Sequence, residues 1–114
     1  MSDVAPSRKT AIRKRLPNRR PHTVLTIEAG GFRYVAGIGH FDDGRLGEIF
    51  LTAEKGGTAI DDAARDSAVV ASIALQHGVD ADTLRRALMR NGSGVASGPL
   101  GLLLDLVAKP ASVA

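Results

Sequence analysis

The sequence predicts an α+β fold: a three-stranded antiparallel β-meander followed by two or three helices packed on one face of the sheet. Residues 23–53 alternate apolar with polar side chains and are rich in β-branched types. Glycine-containing turns divide that stretch into three short runs. Residues 58–108 then show longer apolar periods with helix-ending glycine and proline. A sheet this small is marginal alone, so the helices must cover one of its faces.

The three strands are predicted in order from residues 23–27, 32–38 and 47–53. Gly30-Gly31 reads as the turn between the first two strands, since glycine adopts positive φ without steric cost. Residues 42–45 supply the second turn through Gly44. Short turns between consecutive strands imply antiparallel neighbours, which is why we expect a meander.

The first helix is predicted over residues 58–77, with Thr58 as its cap and Gly78 as its stop. Residues 68–75 are apolar nearly all round, so this helix should lie between the sheet and a second surface, either another helix or another subunit. A second helix should follow Asp80 and end near Asn91. A third should open at residues 97–99 and run to about residue 108.

Charge divides the 114-residue chain into a basic arm, residues 1–20, and an α+β domain, residues 21–114. The arm holds seven of the fifteen Lys and Arg residues, with few bulky apolar groups, so we expect it to be flexible. The chain lacks cysteine, which excludes disulfides, thiol catalysis and thiolate metal sites. Its three histidines have no ligand spacing, and no apolar run reaches membrane length. We therefore expect a cytoplasmic protein with no metal and no membrane contact.

Arg45 and Glu48 are the first candidate binding residues, because both follow the second turn. Arg45 can hold a phosphate or a carboxylate. Alternatively, the two residues form an ion pair or a hydrogen bond that fixes the turn. The adjacent Asp42 and Asp43 can do acid–base work or bind a metal, but acidic residues at a turn more often hydrogen-bond their own loop.

Lys55 and Thr58 are the second candidate pair, in a Lys-Gly-Gly-Thr segment before the first helix. Free N–H groups at a helix start can bind an anion, such as a nucleotide phosphate. The segment lacks the full phosphate-loop spacing, so an ordinary cap at Thr58 is the simpler interpretation. No catalytic triad or cofactor fingerprint accompanies it, and we expect no catalysis by the chain itself.

Basic residues give a third candidate, a nucleic-acid interface. Arg19 and Arg20 end a basic stretch at residues 8–20, and Arg85, Arg86 and Arg90 give the second helix a basic side. The plainer interpretation is a solvated tail and a solvated helix face, since no aromatic residue is interleaved to stack on bases.

A set of segments spread along the chain forms a signature: 15–20 (RLPNRR), 23–31, 34–35, 41–50 (FDDGRLGEIF), 55–57 (KGG) and 72–79 (SIALQHGV). Over roughly residues 13–108 this signature resembles the TSCPD domain. That domain forms the C-terminal part of many vitamin B12-dependent (class II) ribonucleotide reductases and also occurs as a separate small protein. The Ser-Cys-Pro of the motif that names the family falls on Ser97-Gly98-Pro99, so Gly98 replaces its cysteine, and Leu100 replaces its aspartate.

The resemblance implies an accessory or binding module linked to deoxynucleotide synthesis, the supply of DNA precursors, in a bacterial-type cell. The implied partners are a reductase subunit or a nucleotide. Adenosylcobalamin and the ribonucleoside-diphosphate reductase activity enter only by family association, since the reductase barrel that carries them is not in this sequence. The apolar helix and the small sheet also predict a homodimer.

Overall fold

A computed structural model describes residues 12–17 and 22–107 of the chain. Its three strands form one antiparallel sheet in the order β1-β2-β3, and three helices follow them, which confirms the predicted α+β meander. The elements are β1 (Thr23–Ala29), β2 (Phe32–His40), β3 (Leu46–Ala53), α1 (Ala59–Gln76), α2 (Ala81–Ala87) and α3 (Pro99–Val107).

The turns of the meander are those that the glycines predict. Gly30 and Gly31 both have positive φ, at 60° and 84°, and join β1 to β2. Between β2 and β3 the register shifts, because Gly39 pairs with Glu48 whereas His40 pairs with Leu46. Gly47 is the extra residue of this bulge, and a methyl group there would lie 2.8 Å from the Phe41 ring. Glycine is therefore required where the ring covers the bulge.

The core lies between the sheet and the helices. α1 presents a stripe of small side chains to the sheet, which lets the helix approach β3 closely, and α3 adds two leucines with no exposed surface. The buried members of this core include Ile27, Tyr34, Ala36, Ile38, Ile49, Leu51, Ala53, Ala64, Ala68, Ala71, Leu75, Leu103 and Leu104. One face of the sheet is thus closed by helices.

Side chains of α1 also bind the outer edge of β3. The Ile49 N–H donates to Ser72 Oγ at 2.8 Å, and the same hydroxyl donates back to the Ile49 carbonyl at 3.0 Å. The Ala53 N–H donates to Asp61 Oδ1 at 2.8 Å, and Gln76 Nε2 donates to the Gly47 carbonyl at 2.9 Å. These bonds satisfy backbone groups that an edge strand would otherwise expose.

The helix ends agree with the predicted signals, except in α2. Thr58 caps α1, and Gly78, with φ of 95°, follows its last residues. α2 ends at Ala87, short of the predicted end near Asn91. The reason is a local loop, in which Asn91 Oδ1 accepts the N–H groups of Ser93 and Val95. An asparagine that bonds its own backbone in this way favours a turn over a helix.

Residues 12–17, which belong to the predicted arm, contact the end of α1. The Lys14 N–H donates to the Gln76 carbonyl at 2.7 Å, and Arg13 Nε donates to Gln76 Oε1 at 2.6 Å. Leu16 is buried. The arm boundary at residue 20 stays a prediction. Among the residues that the structure describes, no helix is both long and apolar enough to cross a bilayer.

Candidate binding sites

Arg45 is held within its own turn. Its backbone N–H donates to Asp43 Oδ1 at 3.0 Å, and its Nε donates to Asp43 Oδ2 at 2.8 Å. These bonds lower the pKa of the Asp43 carboxyl below its ordinary value, the backbone bond most. The guanidinium also lies 5.0 Å from the centre of the Phe41 ring. The geometry is that of the structural alternative, with Asp43 as the partner in place of Glu48.

Glu48 has a different partner and a different environment. Its Oε2 lies 2.8 Å from Nε2 of His22, and its side chain is only 10% exposed. The carboxylate lies over Gly39 of the neighbouring strand, where a methyl group would be 2.9 Å from Oε2. Phe50 contacts the same histidine edge-on, with ring centres 5.4 Å apart. Glu48 therefore belongs to a half-buried carboxylate–imidazole pair on the sheet, a contact that sequence spacing did not reveal.

Thr58 acts as the predicted cap. Its Oγ1 accepts the Asp61 N–H at 3.1 Å, and the hydroxyl donates to the Lys55 carbonyl at 3.3 Å. The Asp61 carboxylate accepts hydrogen bonds from the Ala53 N–H and from Arg65 Nε, and both bonds lower its pKa. An acidic group of the chain itself therefore already lies at the start of α1. Lys55 and Thr58 line a neighbouring cavity of about 530 Å³ together with Arg33.

The arginines of and after α2 form ion pairs. Arg85 Nη2 lies 2.6 Å from Asp82, and Arg86 Nε lies 3.1 Å from the same carboxylate. Arg90 binds both carboxylate oxygens of Asp105, at 2.8 and 2.6 Å, and this contact lowers the pKa of Asp105. The local acidic groups neutralise much of the basic side that a nucleic acid would need. Arg19 and Arg20, the remaining candidates, lie outside the described residues.

The open face of the sheet is a site that sequence reasoning missed. Register places the residues of this face in four rows across the strands. Both central rows carry exposed apolar side chains, whereas the outer rows carry ion pairs, His22–Glu48 at one end and Arg33 with two glutamates at the other. The central rows are Val24, Gly37 and Phe50, followed by Thr26, Val35 and Thr52. We call these two rows the open apolar face.

Helix α1 keeps a second apolar surface of its own. Val69 and Val70 are more than half exposed, and Ile73 is 38% exposed. The helix packs on the sheet as predicted, but the described part of the chain covers only one of its sides. The homodimer through this helix stays a prediction.

A cavity of about 420 Å³ lies between α1, residues 88–89 and the start of α3. Its wall includes Gly98 and Pro99, part of the segment on which the resemblance puts the Ser-Cys-Pro motif. A methyl group built on Gly98 would meet nothing within 4 Å. Tyr34 of β2 closes the cavity on the sheet side. Among residues 12–17 and 22–107 there is no group of three or more His, Cys, Asp or Glu residues that could hold a metal ion.

Part of the chain is similar to vitamin B12-dependent ribonucleotide reductases. It is 37% identical over 70 residues to the one from Bradyrhizobium diazoefficiens and 39% identical over 67 residues to the one from Agrobacterium fabrum. The reductase from Streptantibioticus cattleyicolor is 36% identical over 73 residues. These regions make up 61%, 59% and 63% of this chain but only 6%, 5% and 12% of those proteins. No protein-family model matches the chain, and no solved structure matches it significantly. The chain therefore contains a region related to these reductases.

Proposed function

We propose that this chain is a TSCPD-like domain that acts as a non-catalytic accessory module, binding a vitamin B12-dependent ribonucleotide reductase and modulating deoxynucleotide synthesis. The observation that carries the proposal is the similarity of about three fifths of the chain to those reductases. In the relatives, the similar region is a small part of a far longer protein. A domain that works beside a large catalytic unit needs a surface to contact it.

A binding role agrees better than a catalytic one with the residues present. A reductase of this class works through a cysteine radical, and this sequence contains no cysteine. The two cavities described above, of about 530 and 420 Å³, are of the size that holds a drug-like ligand. A corrin ring with its nucleotide is much larger, so adenosylcobalamin does not fit these cavities and belongs, in this proposal, to the partner.

The open apolar face is the surface that we assign to the partner. Val24 is 68% exposed and Phe50 is 48% exposed, although the solvated face of an antiparallel sheet is usually polar. The charged residues at one end pair with each other, since Arg33 contacts Glu28 at 3.0 Å and Glu54 at 3.9 Å, and this cluster keeps a net charge of −1. An apolar centre with a polar rim is the usual composition of a protein–protein interface. The occupant we propose is thus an apolar patch of the reductase.

Native mass spectrometry of the purified chain with the B12-dependent reductase of the same cell tests the proposal. We expect a complex, and we expect Val24→Glu to weaken it about tenfold or more because it puts a charge into the apolar centre. Val70→Glu is the matched control, since Val70 on α1 is 67% exposed. No complex with the wild-type chain, with or without nucleotides, would contradict the proposal. Equal weakening by both variants would remove the open apolar face as the contact.

The non-catalytic part of the proposal has its own test. The purified chain, given a ribonucleotide, a reductant and adenosylcobalamin, should form no deoxynucleotide. Added to the reductase, it should change that enzyme's rate. Turnover by the chain alone would overturn the accessory role, even if a complex forms.

A further inference from the structure

The cavity between α1 and α3 has walls that are mostly apolar. Ile60, Leu88, Met89 and Leu100 line it, and small residues of α1 complete the wall. It lies on the helical side of the sheet, away from the open apolar face. A cavity of about 420 Å³ in such surroundings has the size and composition of a small-molecule site.

The first turn of α3 brings backbone donors to this cavity. Leu100 and Gly101 line it, and no acceptor among the described residues forms a hydrogen bond with their N–H groups. Gly98 precedes Pro99 and has no side chain that could cap the helix, and the first turn has no acidic residue. The start of α1 is different, since Thr58 and Asp61 already bind there. The positive end of the α3 dipole therefore opens on the cavity without an anion of its own.

Tyr34 provides a second and independent donor. Tyr34 is only 4% exposed, yet its hydroxyl forms no hydrogen bond with the part of the chain that the structure describes. No buried side-chain oxygen or nitrogen among the described residues lacks a partner, so this hydroxyl must reach solvent. Tyr34 lines this cavity, so we assign the solvent contact of its hydroxyl to the cavity. A buried tyrosine usually bonds its hydroxyl to the protein, so one that opens on a cavity points to a bound acceptor.

We propose that this cavity binds a small organic carboxylate with an apolar body. The Leu100 and Gly101 N–H groups and the Tyr34 hydroxyl give three donors, which suits the two oxygens of a carboxylate. Among the described residues, no Lys or Arg lines the cavity, as a phosphate dianion would require. The apolar walls then hold the rest of the molecule. This site does not depend on the reductase partnership, and either can fail without the other.

Titration of the ¹⁵N-labelled chain with octanoate tests the site. We expect saturable changes at the amides of Leu100 and Gly101. Octanol, which keeps the tail, and acetate, which keeps the charge, should each bind at least tenfold more weakly. Binding of octanol as tight as that of octanoate would overturn the anion site. Inorganic phosphate moving the same amides as strongly as octanoate would overturn the choice of a carboxylate.

Two variants separate ligand binding from folding. Tyr34→Phe should weaken octanoate binding about tenfold while leaving the unfolding temperature unchanged, because the hydroxyl forms no hydrogen bond with the described residues. Gly98→Asp should cap α3 with its own carboxylate, abolish octanoate binding and raise the unfolding temperature. Gly92→Asp is the control, since a side chain there also meets nothing within 4 Å. Unchanged affinity in both Tyr34→Phe and Gly98→Asp would contradict the proposal.

Discussion

The two faces of the sheet are built from the same alternating strands but have opposite environments. On the helical face, Ile49 and Leu51 are each 2% exposed, whereas Val24 and Phe50 on the open apolar face are largely accessible. Alternation in the sequence therefore identifies two faces without saying which is buried. Packing of α1 decides which face is buried, and the apolar residues on the other face form the surface that we propose for the partner.

The largest expected effect comes from removing a buried side chain from the core between the helical face of the sheet and the helices. Leu103→Ala should lower the free energy of unfolding by about 2–5 kcal/mol, because Leu103 has no exposed surface and its removal leaves a cavity. Val24→Ala on the open apolar face should cost no more than about 0.5 kcal/mol. Urea denaturation of both variants measures the difference. Similar losses of unfolding free energy in the two variants would mean that the two faces of the sheet do not differ in packing.

The next effect concerns the edge of β3, where α1 replaces a neighbouring strand. Ser72→Ala should cost about 1–3 kcal/mol, because it removes the partner of the Ile49 N–H and of the Ile49 carbonyl. Ser67→Ala is the matched control, since the Ser67 hydroxyl donates only to the Ala64 carbonyl of its own helix. The control should stay within about 0.5 kcal/mol of the wild type in the same denaturation experiment.

The Asp61 carboxylate at the same edge of β3 predicts that the protein loses stability in acid. The Ala53 N–H and then Arg65 hold its pKa below the ordinary 3.8. A lowered folded-state pKa contributes stability above pH 3.8 and loses it as the pH falls through the folded value. The wild type should therefore unfold at a higher temperature than Asp61→Asn. This difference in unfolding temperature should be constant near neutral pH and should become smaller below pH 3.8. A difference that grows in acid would contradict this assignment.

Sequence reasoning predicted the fold because its signals are local. Strand alternation, the Gly30-Gly31 turn, the Thr58 cap and the Gly78 stop each act within a few residues, and the structure has all of them. The predicted end of α2 was wrong because the Asn91 side chain accepts a hydrogen bond from the backbone of its own loop. Local signals from turns and caps therefore predict the order and bounds of the elements well. They fail where a side chain hydrogen-bonds backbone groups that a helix would otherwise use.

The candidate sites were less accessible to prediction because their contacts join distant residues. Glu48 meets His22, which lies 26 residues away, and Arg90 meets Asp105 across 15 residues. The cavity brings Tyr34 of β2 to the start of α3. Gly98 did stand out in the sequence, since the resemblance puts it at the cysteine of the motif, but only the fold shows that Gly98 lines a cavity.

The smallest expected effect sharpens the comparison between the faces most. Val35→Thr keeps a β-branched side chain in a row already flanked by Thr26 and Thr52, so the free energy of unfolding should change by no more than about 0.5 kcal/mol. Denaturant titration measures this. A loss well above about 1 kcal/mol would mean that Val35 is packed in the folded protein. The open apolar face would then be part of the core and could not also be the surface that a reductase contacts.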